Sequence, residues 1–123
     1  MIKVLNALKD ELKILQIPYE FDNWKSDVQL PFFVGEINEL PTSDEDGKRE
    51  FDFILTGEDV GSYSHLLELS ERIKNRYYYG HSVVVKGGLV KIIYDNTTTI
   101  PVEDEDVKRI QINITVYLWE GNI

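Results

Sequence analysis

The chain is 123 residues long, 42 % hydrophobic and 28 % charged, an ordinary balance for a soluble globular protein, and a single domain spanning residues 1–123 is expected. It has no cysteine, which excludes a disulfide framework, thiolate metal ligation and a cysteine nucleophile, and fits synthesis in a reducing compartment. Lys and Arg number 13 against 22 Asp and Glu, so the formal charge of −9 repels a phosphate backbone and argues against sequence-reading nucleic-acid binding.

The N-terminus reaches Lys3, Lys9 and Asp10 too soon for the apolar core of a signal peptide. No window approaches the roughly 18 apolar residues that span a bilayer, so no membrane association is expected. Leu5, Leu8, Leu12 and Leu15, with Val4 beside them, form a helical stripe against Lys3, Asn6, Lys9, Asp10 and Lys13. Pro18 cannot continue that helix, which should stop near Gln16. Tyr19–Gln29 shows no clean period and reads as an irregular connector anchored by Phe21 and Trp24.

Leu30–Ile37 is apolar enough for a strand, with Pro31 at its start, where a missing N–H is tolerated. Asn38–Gly47 is a loop of turn formers and charges, and Arg49–Thr56 alternates again, with Phe51, Phe53 and Leu55 on one parity. Two such strands make an antiparallel hairpin the default. After Gly61, Ser62 or Ser64 can cap a second helix whose apolar side carries Leu66, Leu69, Ile73 and Tyr77, and Gly80 ends it.

From Ser82 the chain returns to strand, and Gly87-Gly88 between apolar runs signals a tight hairpin leading into Leu89–Tyr94. Asp95–Thr99 reads as a turn, Ile100–Val102 as a brief pairing segment, and Glu103–Asp106 as a solvated break. Lys108–Trp119 is the longest strand. Ile110, Ile112, Ile114, Val116 and Leu118 give it one aliphatic face, and Gln111, Asn113, Thr115, Tyr117 and Trp119 give it a face that is polar and then aromatic. The order of elements predicts an α+β two-layer sandwich: a mostly antiparallel sheet with both amphipathic helices packed on one face.

Chemistry-bearing motifs are sparse. Asp44-Glu45-Asp46-Gly47 suggests calcium, but alignment of Gly47 on the sixth loop position puts Thr42 and Phe53 where carboxylates are required. A solvated turn is the better reading, and no metal or cofactor is assigned. His65 and His81, the only histidines, lack a ligand spacing, and the adjacency of Ser64 and His65 is no evidence for a triad, which is assembled in space. Gly87-Gly88 lacks the Lys-Ser/Thr of a phosphate loop. No catalytic residue is assigned, and the chain is expected not to be an enzyme.

Tyr77, Tyr78 and Tyr79 cannot all face a core, so at least one should present an amphipathic ring to a partner. With the acidic segments at Asp44, Glu45 and Asp46 and at Glu103 and Asp104, they form the candidate interface.

The succession helix, strand, long loop, strand, helix, strands resembles the small tail terminator, or tail-completion, proteins of long-tailed bacteriophages. Ile17-Pro18-Tyr19, Leu30-Pro31-Phe32-Phe33-Val34 and the strand from Phe51 before the helix of Leu66, Leu69 and Ile73 carry the likeness, together with the last alternating strand. The resemblance implies a homo-oligomeric ring, typically a hexamer in that family. Such a ring stops tail-tube growth and joins tail to head, docks to tail-tube and head-connector proteins, and lets DNA pass without sequence-specific binding. It implies a place in the virion tail, and in the host cytoplasm during assembly. The alternatives are a small ligand-binding or regulatory α+β module, which needs a formed cavity, and an enzyme whose site is scattered in sequence, which needs convergent titratable groups.

Overall fold

In the computed structural model, which describes residues 1–22, 29–41 and 47–121, the chain is an α+β fold built on one six-stranded sheet. Helix α1 (Ile2–Ile14) is followed by β1 (Tyr19–Phe21), β2 (Phe32–Leu40), β3 (Lys48–Val60), α2 (Ser64–Tyr77), β4 (His81–Val85), β5 (Gly88–Ile100) and β6 (Val107–Glu120). The strand order is β1-β2-β3-β6-β5-β4, and every pairing is antiparallel except β1 with β2. The longest strand predicted from sequence therefore lies inside the sheet, between β3 and β5.

Both helices cover the same face. Val4, Ala7, Leu8 and Leu12 of α1 and Leu66, Leu69, Ile73 and Tyr77 of α2 join one buried cluster with Phe33, Phe51, Phe53 and Leu55 and the even-numbered face of β6, Ile110 to Leu118. The layers also set where glycine is needed. In β3, Gly57 lies across from Phe33, and a Cβ there would run into the Phe33 ring. The aromatic side chain takes the space that glycine leaves, and the core closes over it.

Several boundaries move relative to the sequence expectation. The loop after β2 is shorter, because pairing runs from Phe32↔Glu58 to Leu40↔Glu50. Part of the expected irregular connector is β1, fixed beside β2 by Phe33 N–H donating to Pro18 O (2.9 Å) and Asp22 N–H to Gly35 O (2.8 Å). Trp24 falls outside the described residues. The hairpin turn is Lys86-Gly87, with Gly87 at φ +74°, while Gly88 opens β5 against Val85. A side chain at Gly88 would collide with the Trp119 carbonyl, so the second glycine answers a close approach and not a turn.

The largest correction concerns Asp95–Val102. The expected turn is strand: β5 runs on to Ile100, with a bulge between Tyr94↔Ile114 and Asn96↔Asn113. The extra residue puts Asp95 and Asn96 on one face, where Asp95 accepts from Thr115 (2.6 Å) and Asn96 from Asn113 (2.7 Å). Thr97 is thereby returned to the helix side, where its hydroxyl bonds Ser70 of α2 and Tyr94, both at 2.7 Å. Side-chain bonds thus hold a Thr- and Asn-rich stretch in the sheet despite its turn-like composition.

Candidate interaction surfaces

The face of the sheet opposite the helices is the larger of two unusual surfaces. Along β6 the alternation that buries Ile112 and Ile114 leaves Gln111, Asn113, Thr115, Tyr117 and Trp119 half-exposed. They make a ladder of directed contacts: Gln111 donates to Asn113 (3.3 Å), Arg109 Nε to Glu58 (2.7 Å), and Lys48 Nζ sits 4.6 Å from the Tyr117 ring centre. Tyr117 and Trp119 lie 5.7 Å apart with their rings tilted by 38°. Among the described residues no helix covers this face.

The two edges form the second surface. Among the described residues, β1 and β4 each pair on one side only. In β4, Val84 is 83 % exposed, and the strand carries no proline, bulge or inward charge of the kind that usually blunts an edge. Beside it a cleft of about 330 Å³ separates α1 from β4, lined by Lys3, Asn6, Asp10 and Val83–Lys86.

Of the predicted interface tyrosines, Tyr77 is corrected. It is 1 % exposed, and its hydroxyl donates to Glu11 (2.8 Å), because the stripe of Leu66, Leu69 and Ile73 carries it into the core. Tyr78 and Tyr79 are exposed, Tyr79 at 91 %, and their rings meet edge to face at 4.8 Å. Glu103 and Asp104 are exposed in the turn before β6. That turn is ordered by its own bonds: the Asp104 carboxylate accepts from Asp106 N–H (3.0 Å), and Asp106 O accepts from Gly61 N–H at the end of β3 (2.8 Å). Asp44, Glu45 and Asp46 lie outside the described residues.

One polar cluster went unforeseen. Glu11, placed between Leu8 and Leu12 on the buried side of α1, is 4 % exposed. Arg76 clamps it with Nε at 2.8 Å and an Nη at 3.2 Å, and His81 Nε2 lies 3.6 Å away. Burial pushes the Glu11 carboxyl up, but the hydrogen bonds from Arg76 and Tyr77, with the Arg76 charge, overcome it and hold the carboxyl below its ordinary value. Tyr77 is pushed up, by burial first and by Glu11 second, so it stays a donor. The cluster ties α1, α2 and the start of β4 together. The sequence signal was a carboxylate on an apolar helix face, which must find a partner.

Among the described residues no group of three or more His, Cys, Asp or Glu converges as a metal site, and no helix is long and apolar enough to cross a membrane. No family model matches the chain, and no curated protein matches it.

Proposed function

We propose that the protein is a structural joint that works by self-association and docking, without turnover, in the manner of the tail terminator and head–tail joining proteins it resembles. The observation that carries the reading is the pairing of a sheet face that no described helix covers with two strand edges, β1 and β4, that each pair on one side only among the described residues. An exposed edge is a template for another chain, and Tyr117 and Trp119 on the open face, with Tyr78 and Tyr79 at the end of α2, are the amphipathic aromatics that interfaces favour. In this reading the subunits close into a ring that meets the tail tube on one side and the head connector on the other. The net negative charge keeps DNA from being retained on the way through.

Light scattering across a wide concentration range tests the first step, and hydrogen exchange on free protein and on assembled tails tests the second. Self-association with protection of the Glu103–Asp106 turn or of β4 is expected. A chain that stays monomeric, shows no protection on tails and instead binds or hydrolyses a small molecule would refute the proposal in favour of the module or enzyme alternatives.

A further inference from the structure

We infer that the subunits join head to tail through the sheet itself, the β4 edge of one copy adding in parallel to the β1 edge of a second copy. This rests on the self-associating reading above and names the surfaces that would carry it. Three observations support it.

The first is direction. β1 is parallel to β2, and the four pairings from β2 through β3, β6 and β5 to β4 are all antiparallel, so β1 and β4 point the same way. A sheet with two like-directed edges can be repeated by rotation about an axis along its strands, which generates a heterologous, ring-closing contact. A two-fold β4–β4 contact would instead be antiparallel and would end at a dimer.

The second is the supply of free backbone groups. The two-residue turn Lys86-Gly87 makes Val85↔Gly88 the closing pair, so His81, Val83 and Val85 bond towards β5 while Ser82 and Val84 direct their N–H and C=O outward. On β1, Pro18 and Asp22 bond towards β2, which turns the backbone groups of Tyr19 and Phe21 outward. Phe21 is 38 % exposed and lies on the helix side of the sheet, the side on which the cleft between α1 and β4 opens.

The third is charge. From Arg72 to Tyr94 the chain carries Arg72, Lys74, Arg76, Lys86 and Lys91 and no carboxylate, although the protein as a whole is acidic. The opposite edge, Tyr19–Asp22, ends in Asp22, with Lys9 of α1 in the recess beside Phe21. Arg72 is paired with Glu68 and Arg76 with Glu11, which leaves Lys74, Lys86 and Lys91 as the cations of this stretch, with Asp10 of α1 in the cleft beside Lys86. Parallel addition aligns the C-terminal ends of the two strands, bringing Lys86 beside Asp22 of the next copy. Copies that met β4 to β4 would bring two basic edges together.

The test uses two blocked variants of the full chain. Val84→Pro removes an outward N–H from β4, and Phe21→Pro removes one from β1, neither being a hydrogen bond within the subunit's own sheet. Circular dichroism and thermal melting establish that each is folded, with Val84→Glu and Phe21→Lys, each of which sets like charges against the facing edge, standing in for any proline variant that is not. Each variant alone is expected to be monomeric at concentrations where the parent associates, and an equimolar mixture is expected to form a one-to-one heterodimer and nothing larger, since one intact junction remains. Parent-like association of the Val84 variant would overturn the edge junction while leaving a ring through other surfaces standing. Dimers of the β1-blocked variant alone would overturn it in favour of a two-fold β4 contact. A parent that never associates would remove both this inference and the reading beneath it.

Discussion

The two faces of β6 differ in what holds them. On the helix side Ile110, Ile112, Ile114, Val116 and Leu118 are each no more than 1 % exposed and make only apolar contacts between sheet and helices. On the other side the intervening residues are half-exposed and held by side-chain hydrogen bonds to β5 and β3. Burial stabilises the first face without directional demands, at roughly 25 cal/mol per Å². The second depends on bonds that compete with water and each contribute about 1 kcal/mol or less. Along β6 the fold is therefore secured mainly from the helix side, while on the opposite face the buried apolar residues are Phe32 and Val34 of β2.

The strongest way to break that contrast is Ile114→Asp. It places an unpaired carboxylate between Phe53 and Tyr94, the cross-strand neighbours of Ile114, at a cost on the order of several kcal/mol, a large part of a small domain's stability. Urea denaturation should show no native baseline or a midpoint far below the parent's. An unchanged midpoint would mean that the covered face is not the core. On the open face, Thr115→Val removes the bond to Asp95 and should cost no more than about 1 kcal/mol. A loss comparable to that of Ile114→Asp would show that this face is packed after all.

Next in size is Glu11→Ala. It leaves Arg76 and the buried Tyr77 hydroxyl without their acceptor, and about 3 kcal/mol of stability should go with it. The pH dependence has a definite sign. A carboxyl whose value is lowered on folding binds its proton more readily in the unfolded chain, so its contribution is fully present above the ordinary value of 4.5 and is lost as pH falls through the lower folded value. Acidification below about 4.5 should therefore depress the parent's melting temperature more than that of Glu11→Gln, which no longer titrates. Equal acid slopes would place the parent's acid sensitivity elsewhere.

Much of the architecture was legible because it rests on periodicity. The helical stripes of α1 and α2 and the alternation in β3 and β6 are consequences of burying one face, and burial is what a period reports. What was missed has long-range causes. Asp95–Ile100 looks like a turn because Asn and Thr are read locally, yet its bonds go to Thr115, Asn113 and Ser70. β1 is three residues long and exists because β2 lies beside it. Tyr77 was assigned both to the buried stripe of α2 and to the surplus tyrosines at its end. Glu11, three residues from the end of α1, decides in favour of the stripe, since it accepts from the Tyr77 hydroxyl.

The smallest expected effect on the fold falls on the tyrosines that remain outside. Tyr79 is 91 % exposed and touches Tyr78 edge to face, while Lys74 and Asn75 share the shallow recess beside them. Replacing both rings, as Tyr78→Ser with Tyr79→Ser, should leave the denaturation midpoint within about 0.5 kcal/mol of the parent, since solvated surface side chains contribute little to folding. If these rings anchor a partner copy, the same double variant should raise the concentration needed for half-association at least about tenfold, because aromatic anchors at an interface are commonly worth more than 1 kcal/mol each. Sedimentation velocity on parent and variant reads both the mass and the concentration dependence. Unchanged association would take the tyrosines out of the interface and leave the sheet edges to carry it. A loss of folding would show that the end of α2 is braced by these rings more than its exposure indicates.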